Sequence, residues 1–249
     1  MTRRDHSASP AQAPVVRMAH GPNAAIFDVD GVLLASPHER AWREALDGLA
    51  DPGLFTTALY QAAVAGRPRD AGALSALVAL GVADAAVQAP AYAIRKQARL
   101  QQLVQAGAVA AVPDAVRLVC SLHGLGWPLA VASSSKNANA MLRAIVVEPG
   151  RSLFEMFGVN VCGRDLAHGK PDPEIFLLAA AGLKLAPRQC IVLEDAPAGI
   201  AAARAGKMWS IGVARLDDAA GLRAAHADLV VTSLDQVPVQ ALADGTLCL

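Results

Sequence analysis

The 249-residue chain lacks net charge: 22 lysines and arginines balance 22 aspartates and glutamates. That balance gives nothing that points to nucleic acid or an anionic membrane, so neither is an expected partner. Long apolar runs are missing too, and none approaches the roughly 20 residues that a membrane span needs. The first 22 residues, rich in Pro, Ala and Ser, have no apolar segment of the signal-peptide kind and read as a mobile tail. Closely spaced cysteines are absent. Cys120, Cys162, Cys190 and Cys248 stand far apart with no CxxC, which points to reduced, mostly buried thiols in a cytoplasmic protein. No GxGxxG occurs either. The "GLGW" at 124–127 precedes a strand instead of following one, which argues against a dinucleotide site.

What is present is a chain 54% hydrophobic and 18% charged, too apolar for disorder and long enough for one large domain or two unequal ones. Short apolar runs alternate with helical patterns. "AAIFDV" (24–29), "WPLAVAS" (127–133), "VNVCG" (159–163), "CIVLED" (190–195), "MWSIGVA" (208–214) and "ADLVV" (227–231) read as strands. Most are continuously apolar, as strands buried on both faces of a parallel sheet should be. Between them, "PDAVRLVCSLHGLG", "PDPEIFLLAAAG" and "PAGIAAARAG" open on proline and close on glycine, the usual helix punctuation. The alternation predicts a doubly wound α/β fold.

One interval breaks it. From Ser36 to Ala108 no strand is evident. "HERAWREALDGLA", "GLFTTALYQAAVAG", "DAGALSALVALG" and "DAAVQAPAYAIRKQARLQQLVQAG" read as helices, the last with Pro90 as a start or kink. The expected organisation is a tail (1–22), an α/β core (23–35 and 109–249) and an inserted helical cap (36–108) placed to act as a lid.

Asp28 and Asp30 stand at the end of the first apolar run, one residue apart. On a strand, side chains at i and i+2 point the same way. In an open parallel sheet, ligands bind beyond the carboxyl ends of the strands. Two close carboxylates repel unless a cation neutralises them, and a divalent metal both does so and attracts phosphate. Gly31 allows the sharp turn that follows. Taken alone, "DVDG" also reads as a surface turn. Three further stretches accompany it. "AVASSSKN" puts Ser133, then Ser134, Ser135, Lys136 and Asn137, at the end of a core strand and the start of a helix, where free backbone N–H groups suit a phosphate. "HGKPDPEIF" keeps Lys170 out of helix through Pro171, as a fixed positive charge. "CIVLEDAPAGI" ends another buried strand on Glu194 and Asp195. Each has a plain alternative: capping serines, a solvated lysine, a helix-start acid.

In this order, the four motifs resemble those of the haloacid dehalogenase (HAD) superfamily, over about Ala24 to Leu242. The resemblance implies phosphoryl transfer. Asp28 would be the nucleophile that forms an aspartyl-phosphate, and Asp30 the general acid/base. Ser133 and Lys170 would hold the transferring phosphate. Glu194 and Asp195 would bind Mg²⁺ with the Asp28 carboxylate and the Asp30 backbone carbonyl. A carboxylate nucleophile divides a hard hydrolysis into two easier steps, and positioning with charge neutralisation does most of the rest. The superfamily's dehalogenases keep no acid two residues after the nucleophile, so Asp30 argues for phosphoryl transfer over halide displacement. A non-catalytic binding protein of this fold would be favoured by loss of a motif, and all four are present.

The helical insert is similar to the cap of the β-phosphoglucomutase-like subfamily. His38 in "HERAW" matches a hinge-side histidine that assists the acid/base. Arg69 in "GRPRDAGAL" matches an arginine that grips the non-reacting phosphate, and Lys96 in "RKQARL" a lysine that touches the sugar. Ser135, Lys136 and Asn137 match a second phosphate site. The chain has Ala35-Ser36 where the subfamily usually has Asp-Ser, and a hinge about two residues shorter. The expected substrate is a small sugar phosphate, and the expected reaction a mutase or a phosphatase of the same build. The second anion site favours the mutase. Oligomeric state stays open.

Overall fold

The computed structural model describes residues 21–216 and 218–244; the expected tail up to His20, and Cys248, lie outside the described residues. β1 (Ala24–Phe27) leads through the Asp28–Gly31 turn to the two-residue β2 (Leu34–Ala35). Four helices follow: α1 (His38–Glu44), α2 (Thr57–Ala63), α3 (Arg69–Ala79) and α4 (Ala85–Gln105). The chain returns through β3 (Ala110–Ala111) to α5 (Pro113–Gly124), β4 (Leu129–Val131) and α6 (Ala138–Ala144). A small hairpin, β5 (Val146–Glu148) and β6 (Arg151–Ser152), precedes β7 (Val159–Asn160) and α7 (Glu174–Leu183). The last third alternates β8 (Cys190–Glu194), α8 (Pro197–Ala205), β9 (Trp209–Val213), α9 (Ala219–Ala224), β10 (Leu229–Val231) and α10 (Val239–Ala243).

Six strands form one parallel sheet in the order β10-β9-β8-β1-β4-β7. All six correspond to the apolar runs of the sequence. Their continuous hydrophobicity has the expected cause, because alternate residues serve opposite layers. Phe27, Val131, Ile191 and Leu193 face one helical layer with Leu118 and Leu122 of α5 and Met141 of α6. Ile26, Ala130 and Val192 face the other, with Phe176 of α7 and Ala203 of α8. From β1 the chain winds outward through β4 to β7, then returns to the other side of β1 at β8. β1 therefore stands at the switch point of the sheet, where a crevice opens at the strand C-termini.

The helices between β2 and β3 have a core of their own, with Trp42, Leu46, Phe55, Leu77 and Tyr92 buried together. The Trp42 and Tyr92 rings sit 5.1 Å apart, and the Tyr92 hydroxyl donates to the Trp42 carbonyl at 2.9 Å. One local reading is corrected, one is narrowed, and two short ribbons are new. "GLFTTALYQAAVAG" is not one helix: a 3-10 turn at Pro52–Leu54 is followed by α2, which the Thr56 hydroxyl caps by accepting from Leu59 N–H. Pro90 lies inside α4 instead of at its start. The two antiparallel ribbons, β2 with β3 and β5 with β6, were not foreseen, since two- or three-residue strands carry no readable periodicity.

The turn after β1 is tied down from elsewhere. Arg215, just past β9, donates through Nε to the Gly31 carbonyl at 3.0 Å. Its two terminal nitrogens hold both Asp114 oxygens at 2.9 Å. The Ser233 hydroxyl and Leu234 N–H also donate to Asp114. Burial works to raise the Asp114 pKa, but the hydrogen bonds from Arg215, Ser233 and Leu234 prevail and hold it at about 2, against an ordinary 3.8. A folded-state pKa below the unfolded one adds stability that is complete above about pH 4 and is lost as pH falls towards 2. Asp114→Asn is expected to cost about 2 kcal/mol at pH 7 and to flatten the stability profile between pH 2 and 4. Urea unfolding across that range checks it, and an unchanged profile would refute the clamp.

Candidate active site

Three adjacent strands deliver the acidic and hydroxyl groups. Asp28 follows β1, Glu194 ends β8 with Asp195 next to it, and Ser133 follows β4. Lys170, from the loop between β7 and α7, reaches across. Its ammonium lies 2.6 Å from Asp28 Oδ1 and 2.5 Å from Glu194 Oε1, and all three side chains are buried. The other Glu194 oxygen accepts from the N–H groups of Asp195 and Ala196. Two glycines make this packing possible. A Cβ on Gly31, whose φ is +86°, would come within 1.9 Å of an Asp195 oxygen, and one on Gly199 within 1.7 Å of Glu194 Oε1.

The carboxyl groups are short of positive charge. Burial, with Glu194 and Asp30 close by, pushes Asp28 up to about 7 in spite of Lys170. Burial and the charges of Glu194 and Asp28 push Asp195 well above the carboxylate range. Burial alone would lower Lys170, but Asp28 and Glu194 outweigh it and hold the ammonium charged. Oxygens of Asp28, Glu194 and Asp195 all lie within 4.8 Å of one another. Three crowded acids against one lysine form a donor set that suits an oxygen-loving divalent cation. Asp30 stands apart from that trio: its Oδ1 is buried without a hydrogen bond, 3.5 Å from His38 Nε2.

His38 opens α1, and Lys96 comes from α4, 58 residues away in sequence. Lys96 is only 3% exposed, with Nζ 3.1 Å from His38 Nδ1 and 4.8 Å from the Trp42 ring centre. It does not sit on a solvated helical face. An ammonium can only donate, so Nδ1 accepts and the ring proton falls on Nε2, which faces Asp30. Burial pushes His38 down to about 4, and Lys96 down to about 8. The ring is neutral at pH 7.

All of these groups except the fully buried Glu194 line a cavity of about 340 Å³ between the sheet edge and the helical segment. Arg69 lines it, as the first residue of α3 instead of in the loop before it, 42% exposed and 3.4 Å from Asp70. The Ser133 Oγ accepts from Ser135 N–H, and Ser134 Oγ is buried without a partner. Ser135 Oγ accepts from Asn137 N–H. Lys136 and Asn137 line the cavity but are engaged. Lys136, 65% exposed, pairs with Asp165 at 2.7 Å, and Asn137 Oδ1 accepts from Gln97 on α4. Tyr60, Arg67 and Arg164 also line the cavity and were not singled out in the sequence. A lone tyrosine in an alanine-rich helix reads as core. Arg67 had a visible signal, two residues before Arg69 in "GRPR".

A family model of haloacid dehalogenase-like hydrolases matches residues 22–207. The chain belongs to that family. Within the HAD superfamily it falls in the β-phosphoglucomutase-like subfamily. It is 32% identical over 224 residues to a β-phosphoglucomutase of Bacillus subtilis, covering 88% of this chain and 93% of that one. It is also 35% identical over 190 residues to a fructose-1-phosphate phosphatase of Escherichia coli, covering 76% and 94%. The solved β-phosphoglucomutase of a Pyrococcus strain superposes with a TM-score of 0.70 at 29% identity, over 89% of this chain and 99% of that one. The HAD chain is thus an enzyme of the phosphotransferase and phosphatase type. Among the described residues, no helix is long and apolar enough to cross a membrane.

Proposed function

We propose that this HAD enzyme is a Mg²⁺-dependent, β-phosphoglucomutase-like phosphotransferase acting on a small sugar phosphate in the cytoplasm. One observation carries the reading: Asp28, Asp30, Lys170 and Asp195 line a cavity whose walls also carry Arg67, Arg69 and Lys96, with Glu194 buried behind Lys170. Asp28 attacks phosphorus through a carboxylate oxygen as the ester P–O bond breaks. The leaving oxygen takes its proton from Asp30. In the reverse sense, Asp30 accepts a proton from the incoming hydroxyl or water as the aspartyl-phosphate is released. Neutral His38, held by Lys96, points its Nε2 proton at Asp30 and so orients that carboxyl group. Ser133 and Lys170 hold the transferring group. Asp28, Glu194 and Asp195, with the Asp30 carbonyl, would hold Mg²⁺, which neutralises charge on the phosphoryl group when bound. Excess chelator is expected to abolish turnover and added Mg²⁺ to restore it. Full turnover in chelator would overturn the metal assignment.

A phosphatase on a sugar or polyol phosphate is the second reading. It is favoured by the engagement of Lys136 with Asp165 and of Asn137 with Gln97, which leaves the second phosphate site largely to Arg69. A coupled assay separates the two. With β-glucose 1-phosphate and a trace of glucose 1,6-bisphosphate, a mutase yields glucose 6-phosphate, whereas a phosphatase releases inorganic phosphate. Arg69→Lys loses a two-pronged, charge-assisted contact worth about 1.5–3 kcal/mol. It is expected to slow the interconversion roughly 10- to 150-fold while sparing a small aryl phosphate. Phosphate release outrunning isomer formation would overturn the mutase reading.

A further inference from the structure

A second cavity, of about 250 Å³, reaches two of the site's carboxylates, Asp30 and Asp195, from the hinge side. Asp30, Tyr60 and Asp195 line both cavities and form the partition between them. Apart from those shared acids, the two entrances differ in charge. The main cavity is lined by Arg67, Arg69, Lys96, Lys136, Arg164 and Lys170 against three carboxylates. The second is lined by Glu39 and Asp218 against Arg215. The second cavity also holds Gln61, 9% exposed, whose carbonyl oxygen makes no hydrogen bond. A buried acceptor without a donor needs water or another donor in the space it lines.

We infer that the second cavity is a separate entrance for a hydrated divalent cation, while the anionic substrate uses the first. The inference rests on the Mg²⁺ reading above. A positively lined mouth repels a dication and attracts a phosphate ester, and once occupied by substrate it is blocked. An acidic mouth does the opposite. Asp218, the residue before α9, supplies charge at the second mouth, Leu216 stands exposed at its rim, and the unpaired Gln61 oxygen accepts from the cation's water shell.

The test uses Mn²⁺ alone as the probe, with stopped-flow protein fluorescence and water-proton relaxation as readouts, so that turnover is not involved. Asp218→Lys is expected to slow Mn²⁺ association at least fivefold at low salt, with the effect fading as salt screens it. Leu216→Trp, which fills the rim, is expected to slow association and dissociation by the same factor and leave Kd unchanged, as an entrance requires and a ligand role does not. Arg164→Glu, at the main mouth, is expected to change association less than twofold. Circular dichroism confirms that each variant folds. Association unchanged by Asp218→Lys and Leu216→Trp but accelerated by Arg164→Glu would overturn the entrance while leaving the metal site in place. Failure of the unaltered protein to bind Mn²⁺ would overturn the metal site and the entrance with it.

Discussion

Asp28→Asn is expected to lower turnover of any phosphate ester by at least about 10⁴-fold, because an amide cannot serve as the anionic nucleophile. The fold should survive. Asparagine is nearly the same shape, and its oxygen can still accept from Lys170, which now sits 2.6 Å from Asp28 Oδ1. Removing one of three crowded acids also relieves the repulsion that, together with burial, pushes Asp28 up to about 7. The melting temperature measured without metal should therefore hold or rise while steady-state activity vanishes. Near-normal turnover in Asp28→Asn would refute the nucleophile assignment. A fall in melting temperature of more than about 5 °C would show that the substitution acts through the fold instead.

Lys170→Met is expected to do the reverse to stability. The ammonium is the partner of two buried carboxylates, at 2.6 and 2.5 Å, and methionine leaves both uncompensated. Breaking a buried pair from one side costs about 3–5 kcal/mol, which for a chain of this size lowers the melting temperature by about 10 °C. Turnover should vanish as well, since the charge that holds the transferring group is gone. Mg²⁺ should recover more stability in the variant than in the unaltered protein, because it becomes the one cation available to those acids. Differential scanning calorimetry with and without Mg²⁺ measures both effects. An unchanged melting temperature would mean that the ion pairs contribute nothing to the fold.

The acidic floor of the site was legible in the chain because each of its residues sits at the end of a recognisable apolar run, and in a parallel sheet those ends meet at one edge. Asp28, Ser133 and Glu194 needed only the strand pattern to be placed. Lys170 needed one step more. Pro171 keeps it out of helix, but that it bridges Asp28 and Glu194 depends on how the loop from β7 crosses the sheet edge. The walls were harder to read. Lys96 lies in step with Ala89, Tyr92, Ala93, Leu100 and Leu103 on the buried stripe of α4, a signal the spacing held, but that this face meets Trp42 and His38 depends on how α4 packs on α1. Lys136 and Asn137 stood in a motif that suggested a free anion site, and their engagement by Asp165 and Gln97 came from segments 29 and 40 residues away.

By itself the sequence determined the sheet, its helical insert and the identity of the acids at the strand ends. Continuous apolar runs of strand length leave one economical burial, and turn residues beyond them are local facts of the chain. The tertiary structure alone decided which charges are spent and which remain available. It placed Lys96 beside His38, with Asp30 on the other side of that ring, bound Arg215 to Asp114 and the Gly31 carbonyl, and opened two cavities that share Asp30 and Asp195. Burial and pairing depend on segments brought together from distances of 58 to 184 residues along the chain, and hydrophobic periodicity reports only on the element in which it occurs.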